Sequence, residues 1–78
     1  LEFRRVLFRS IFNYALKELA SAIILCHNHP SGNLNPSEID IKLTKQMIEA
    51  GKLLDINVLD HIIIAHNNYY SLINNGVI

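Results

Sequence analysis

Residues 22–40 read AIILCHNHPSGNLNPSEID, and this stretch decides the fold. Ala22-Ile23-Ile24-Leu25-Cys26 is a continuous apolar run of five, rich in β-branched residues. With no alternation, it predicts a strand buried on both faces. His27 to Pro36 then holds two Pro, one Gly and three Asn, the composition of a loop of fixed shape. Pro30 lacks a backbone N–H, so a central strand cannot run through it. Ser37-Glu38-Ile39-Asp40 opens a helix: Ser37 is a good N-cap, and Asp40 at N3 makes a short-side-chain capping box. Ile39, Leu43, Met47, Ala50 and Leu54 continue it as one apolar face. Gly51 and Asp55-Ile56-Asn57 mark where it weakens and stops.

Working outward, Ile11, Phe12, Ala15, Leu16, Leu19 and Ala20 form a helical apolar stripe before the strand, with Ser10 placed to cap it. After the second helix, Val58 to Ile64 predicts a second strand, His66-Asn67-Asn68 a turn and Tyr69 to Ile73 a third strand. Asn74-Asn75-Gly76 has hairpin-turn chemistry, and Val77-Ile78 would begin a fourth strand. The order is α-β-loop-α-β-β, an α/β arrangement around a mixed sheet, with no internal repeat.

A chain of 78 residues allows one domain at most, and its core is marginal. A single cysteine, Cys26, excludes an internal disulfide. Half the residues are apolar, which argues against disorder. No run approaches the ~18–20 apolar residues of a membrane span, and no secretory signal is visible. The expectation is a cytoplasmic protein with no membrane partner.

Seven basic residues balance seven acidic ones, but unevenly. Residues 1–10, LEFRRVLFRS, carry Arg4, Arg5 and Arg9 against Glu2; residues 11–78 carry four Lys against six acids. RVLFRS is what CGT-GTG-CTC-TTC-CGA-TCT encodes, a string similar to a common sequencing-library adapter. Residues 1–10 are therefore expected to be a non-native translated adapter, and 11–78 part of a domain cut at both ends. An intact source locus encoding the decapeptide in frame would refute this. Without the decapeptide, the chain lacks the basic excess that neutralises a phosphate backbone.

Three residues can converge. His27 and His29, two apart at the end of a strand, point to one side, and Asp40 lies in the first turn of the next helix. Two imidazoles and a carboxylate suit a zinc site with the fourth position open, the catalytic pattern. The same donors also fit Mn²⁺ or Fe²⁺. Each residue has a plainer reading. Asp40 serves equally as a helix-capping carboxylate, and Ser37 reads first as a plain N-cap. Cys26, out of phase with the two histidines, is expected to pack on the opposite side. His61 beside Asp60 suggests an oriented core pair, and His66 a turn residue.

Together, His27-Asn28-His29-Pro30-Ser31-Gly32, Pro36-Ser37-Glu38-Ile39-Asp40, Leu59-Asp60-His61-Ile62-Ile63-Ile64 and Tyr69-Tyr70-Ser71 resemble the RadC-like branch of the MPN/JAMM metalloprotein family. The general pattern, H-x-H, seven residues, then S-x-x-D, is matched by His27, His29, Ser37 and Asp40. The resemblance covers residues 11–78. It implies a truncated cytidine-deaminase-like core, zinc held by His27, His29 and Asp40, and a catalytic role for Ser37 at the oxygen of the tetrahedral intermediate. It also implies a glutamate base on an upstream strand, which has no match here: Glu2 lies in the suspected adapter and Glu18 on the preceding helix. The expectation is a zinc metallohydrolase acting on a peptide or isopeptide substrate, inactive as this stretch alone. The alternatives are a DNA-repair or mobile-element-associated factor, touching DNA through absent regions, and a non-catalytic scaffold.

Overall fold

A computed structural model describes the backbone of residues 2–78 and the side chains of residues 9–78. The side chain of Glu2 and those of Arg4 and Arg5 lie outside the described residues. Helix α1 spans Glu2–Lys17, strand β1 Ala22–Asn28, helix α2 Glu38–Leu53, strand β2 Asn57–Ala65 and strand β3 Asn68–Ser71. The element order is the one expected. The sheet order is β1-β2-β3. β1 pairs parallel with β2, and β2 pairs antiparallel with β3, so the sheet is mixed. The parallel pair requires a crossover, which α2 supplies.

Both helices pack on one face of the sheet. Phe12 and Ala15 of α1, Met47 of α2 and Ile56 form the buried cluster, with Ile23, Leu25 and Val58 against it. The other face carries no helix among the described residues, and this corrects the reading of β1. Its residues alternate between half-buried and exposed from Ile23 onward, with Ile24 57% exposed. Cys26 is likewise exposed instead of packed. An apolar run without alternation marks a strand with affinity for two covers; here one cover is present.

Other differences have local causes. α1 runs through Ser10, because residues 2–10 contain neither Gly nor Pro to stop it. Ser10 is thus an exposed interior residue and not an N-cap. Leu16 and Leu19 lie outside the core, with Leu19 past the helix end at φ 56°. On α2 the buried line is Thr44, Met47 and Gly51, while Ile39 and Leu54 are exposed. The helix approaches the chain closely at Gly51, where a Cβ would stand 2.3 Å from the Ile56 carbonyl oxygen. Close approach favours small residues over the large apolar ones that periodicity selects.

β3 stops at Ser71, short of Ile73. Asp60 draws the chain off the ladder by accepting from the Ile73 N–H at 3.0 Å and from the Ser71 hydroxyl. Leu72 to Gly76 then turn, with the Val77 N–H donating to the Leu72 carbonyl at 2.9 Å. Val77 and Ile78 form no strand. No helix of the described residues is long and apolar enough to cross a membrane.

Candidate metal centre

β1 delivers both histidines. Residues 23, 25 and 27 face the helices, and the ladder continues one step past the strand, where the His29 N–H donates to the Ile64 carbonyl at 2.9 Å. His29 therefore keeps the phase of His27. Pro30 has no N–H to carry the ladder further. The chain turns at Gly32, φ 86°, under the His66 ring; a Cβ at Gly32 would stand 2.5 Å from His66 Nε2. The turn brings the Asn33 carbonyl to 2.7 Å from His29 Nδ1. A carbonyl only accepts, so Nδ1 carries the proton, and the neutral ring keeps a bare lone pair on Nε2.

α2 delivers the carboxylate. Ser37 caps the helix in extended conformation, and its Oγ accepts from the Asp40 N–H at 3.0 Å. Asp40 Oδ2 accepts in return from the Ser37 N–H at 3.0 Å, completing the capping box. The two readings of Asp40 prove compatible, since one carboxylate closes the cap and faces the histidines. Burial alone would raise its pKa. Hydrogen bonding from the Ser37 backbone and hydroxyl, with His27 and His29 beside it, outweighs burial and holds the carboxyl below its ordinary value.

The three side chains meet. His27 Nε2 and His29 Nε2 are 2.8 Å apart. Asp40 Oδ1 is 3.8 Å from the first, and Oδ2 is 3.5 Å from the second. Ligand bonds of ~2.0–2.1 Å in tetrahedral array put ligand atoms about 3.3 Å apart. The observed separations bracket that value, and the donor set of two imidazoles and an ionised carboxylate suits zinc, manganese or iron. The residues fit a divalent metal.

Two further residues belong to this centre. His61, 6% exposed, places Nε2 at 2.6 Å from His27 Nδ1. Its Nδ1 stands 2.6 Å from Thr44 Oγ1, which reaches the Asp40 carbonyl oxygen at 2.7 Å. Burial, with His27 adjacent, pushes the His61 pKa below its ordinary value. His61 is therefore not paired through its ring with Asp60. The Asp60 carboxylate accepts instead from the His61 backbone N–H at 2.7 Å, from Ser71 and from Ile73. Thr44 follows Asp40 by one helical turn, a spacing that could have flagged it; His61 needed the strand register.

A cavity of about 290 Å³ lies beside this cluster, lined by His27, Asp40, Thr44, Met47 and His61 among others. Among the described residues no glutamate lines it. Glu18 borders a separate groove with Tyr14 and Ile24, and Glu38 stands on the outer side of α2 beside Lys42.

The RadC-like JAB domain family model matches residues 2–77. The chain belongs to that family. A UPF0758 protein of Alkaliphilus metalliredigens is 62% identical over 64 residues, 82% of this chain and 28% of that protein. A UPF0758 protein of Flavobacterium johnsoniae is 48% identical over 69 residues, 88% of this chain and 30% of its own length. One from Thermosynechococcus vestitus is 53% identical over 64 residues, covering 82% and 26%. This RadC-like chain thus spans less than a third of the curated relatives it matches, and its small α/β architecture is that of the family.

Proposed function

We propose that this RadC-like chain forms the metal-holding part of a hydrolase that cleaves an amide or isopeptide bond in a peptide substrate. One observation carries the reading: two imidazole nitrogens and a carboxylate, from a strand end and a helix start, converge at ligand spacing beside an open cavity. A bound zinc ion would supply Lewis-acid polarisation of a carbonyl and a water acidified towards pH ~7. His27, His29 and Asp40 would hold it. The Asn33 carbonyl keeps His29 Nε2 free for it, and Ser37 keeps Asp40 ionised. The Ser37 hydroxyl accepts from the Asp40 N–H, and its one hydrogen, which favours the Asp40 carboxylate, would have to turn from it towards a developing oxyanion. No glutamate lines the cavity among the described residues, so a glutamate base, and with it turnover, is assigned to the whole protein.

The test is elemental mass spectrometry on the purified chain beside His29→Ala and Asp40→Asn, with circular dichroism to check folding. Asn is chosen because its amide oxygen can still accept from the Ser37 N–H. Near one zinc per folded chain, lost in both variants, is the expected result. A folded wild-type chain without metal overturns the reading.

A further inference from the structure

The contacts around His27 form a chain whose proton directions can be worked out from its fixed end. The Asp40 carbonyl has no hydrogen, so its 2.7 Å contact with Thr44 Oγ1 uses the Thr44 proton. That hydroxyl has no second proton, so it accepts in its 2.6 Å contact with His61, and His61 Nδ1 is the donor. His61 is buried with no carboxylate hydrogen-bonded to its ring, an environment that favours the neutral imidazole, whose lone pair then lies on Nε2. That lone pair accepts in the 2.6 Å contact with His27, so a proton sits on His27 Nδ1; in the neutral ring this leaves the lone pair on Nε2.

His29 reaches the same state independently, through the Asn33 carbonyl. With both rings neutral, the two Nε2 atoms, 2.8 Å apart beside the Asp40 carboxylate, both present lone pairs. Two lone pairs cannot hydrogen-bond to each other; the arrangement is complementary to a cation.

We propose that Thr44, acting through His61, is a positioning residue that holds His27 in the tautomer protonated at Nδ1, and so presents His27 Nε2 to a divalent cation. The chain starts at the backbone of one ligand, Asp40, and ends on another, His27. It therefore couples the start of α2 to the end of β1. It also explains why a threonine, 1% exposed, occupies the buried line of α2. The tautomer stands by itself; its consequence for zinc rests on the metal reading above.

The test uses the full 78-residue chain. Long-range proton–nitrogen NMR of the metal-free protein reports which nitrogen of each imidazole is protonated. Chelator competition then reports zinc affinity in wild type, Thr44→Val and Thr44→Ser. In wild type, His27 is expected to be protonated at Nδ1. T44V, which has the same shape but no hydroxyl, should mix the His27 tautomers and weaken zinc about 10–100-fold, the usual cost of losing an outer partner. T44S should restore both, which a purely steric role for the methyl group would not. A wild-type His27 protonated at Nε2 overturns the proposal, whatever T44V does and even if T44V fails to fold. A folded T44V with unchanged tautomer and zinc affinity also overturns it. The assigned tautomer in a wild type that binds no zinc supports the relay and overturns the metal reading alone.

Discussion

On the helix-covered face of the sheet, Leu25 and His61 lie side by side, and so do His27 and Ile63 one step along. On the opposite face the corresponding pairs are Ile24 with Asp60, Cys26 with Ile62 and Asn28 with Ile64. The composition of the two sets is similar, yet their roles diverge. Under α2, His61 holds Thr44 and His27, and among the described residues no buried side-chain polar atom is left without a hydrogen bond. On the far face, Ile24, Ile64 and Tyr69 stand exposed and Asp60 bonds to the turn after β3. Burial enforces directed hydrogen bonds, because an unsatisfied polar group costs ~1–3 kcal/mol away from water. Where a cover is absent, that constraint is relaxed, and so is any fixed geometry.

Substitutions on the two faces should therefore differ sharply. The largest effect is expected at Met47, 2% exposed in the core beneath α2. Met47→Ala should cost about 2–5 kcal/mol through lost transfer energy and the cavity left behind. Urea denaturation measures it, and a loss below ~1 kcal/mol would show that the covered face is not a packed core.

Acid should act in two steps. Burial and His27 depress the His61 pKa below 6.5 in the folded chain. As pH falls through about 6.5, the unfolded chain takes up this proton first, so stability declines. Burial works to raise the Asp60 pKa, but Ser71, Ile73 and the His61 N–H overcome it and hold the group below 3.8. Its stabilisation is present above that value and is lost as pH falls through the folded pKa. Urea midpoints followed from neutral to strongly acid pH should show both declines. Asp60→Asn should shrink the lower step, to which Asp40 also contributes, and leave the upper one; a D60N profile matching wild type would sink the assignment.

The smallest effect is expected on the far face. Ile24→Ser, at a side chain already 57% exposed, should change stability by no more than about 0.5 kcal/mol. A loss comparable to that of M47A would mean that this face is covered in solution.

How far the site was legible follows from distance along the chain. His27, His29, Ser37 and Asp40 lie within fourteen consecutive residues, and the strand phase and capping box that bring them together are local rules. The Asn33 carbonyl that orients His29 was hidden, because a backbone atom carries no signature in sequence. Thr44 was not singled out, because a lone polar residue outside the apolar stripe carries no signal, although it is only 1% exposed. His61 stood beside Asp60 in sequence, but alternation along β2 sends the two side chains to opposite faces.

The sequence by itself determined the order of the five elements, the helix cap and the meeting of His27, His29 and Asp40, because apolar period, turn chemistry and capping act over a few residues. Only the tertiary structure decided which face of the sheet is covered, which line of α2 is buried and that His61 serves His27. Those depend on the register of β2 against β1, with its irregularity at Ile23/Ile24, and on how closely α2 settles at Gly51. Residues 34 apart in the chain come within 2.6 Å there, and no local rule reports such a contact.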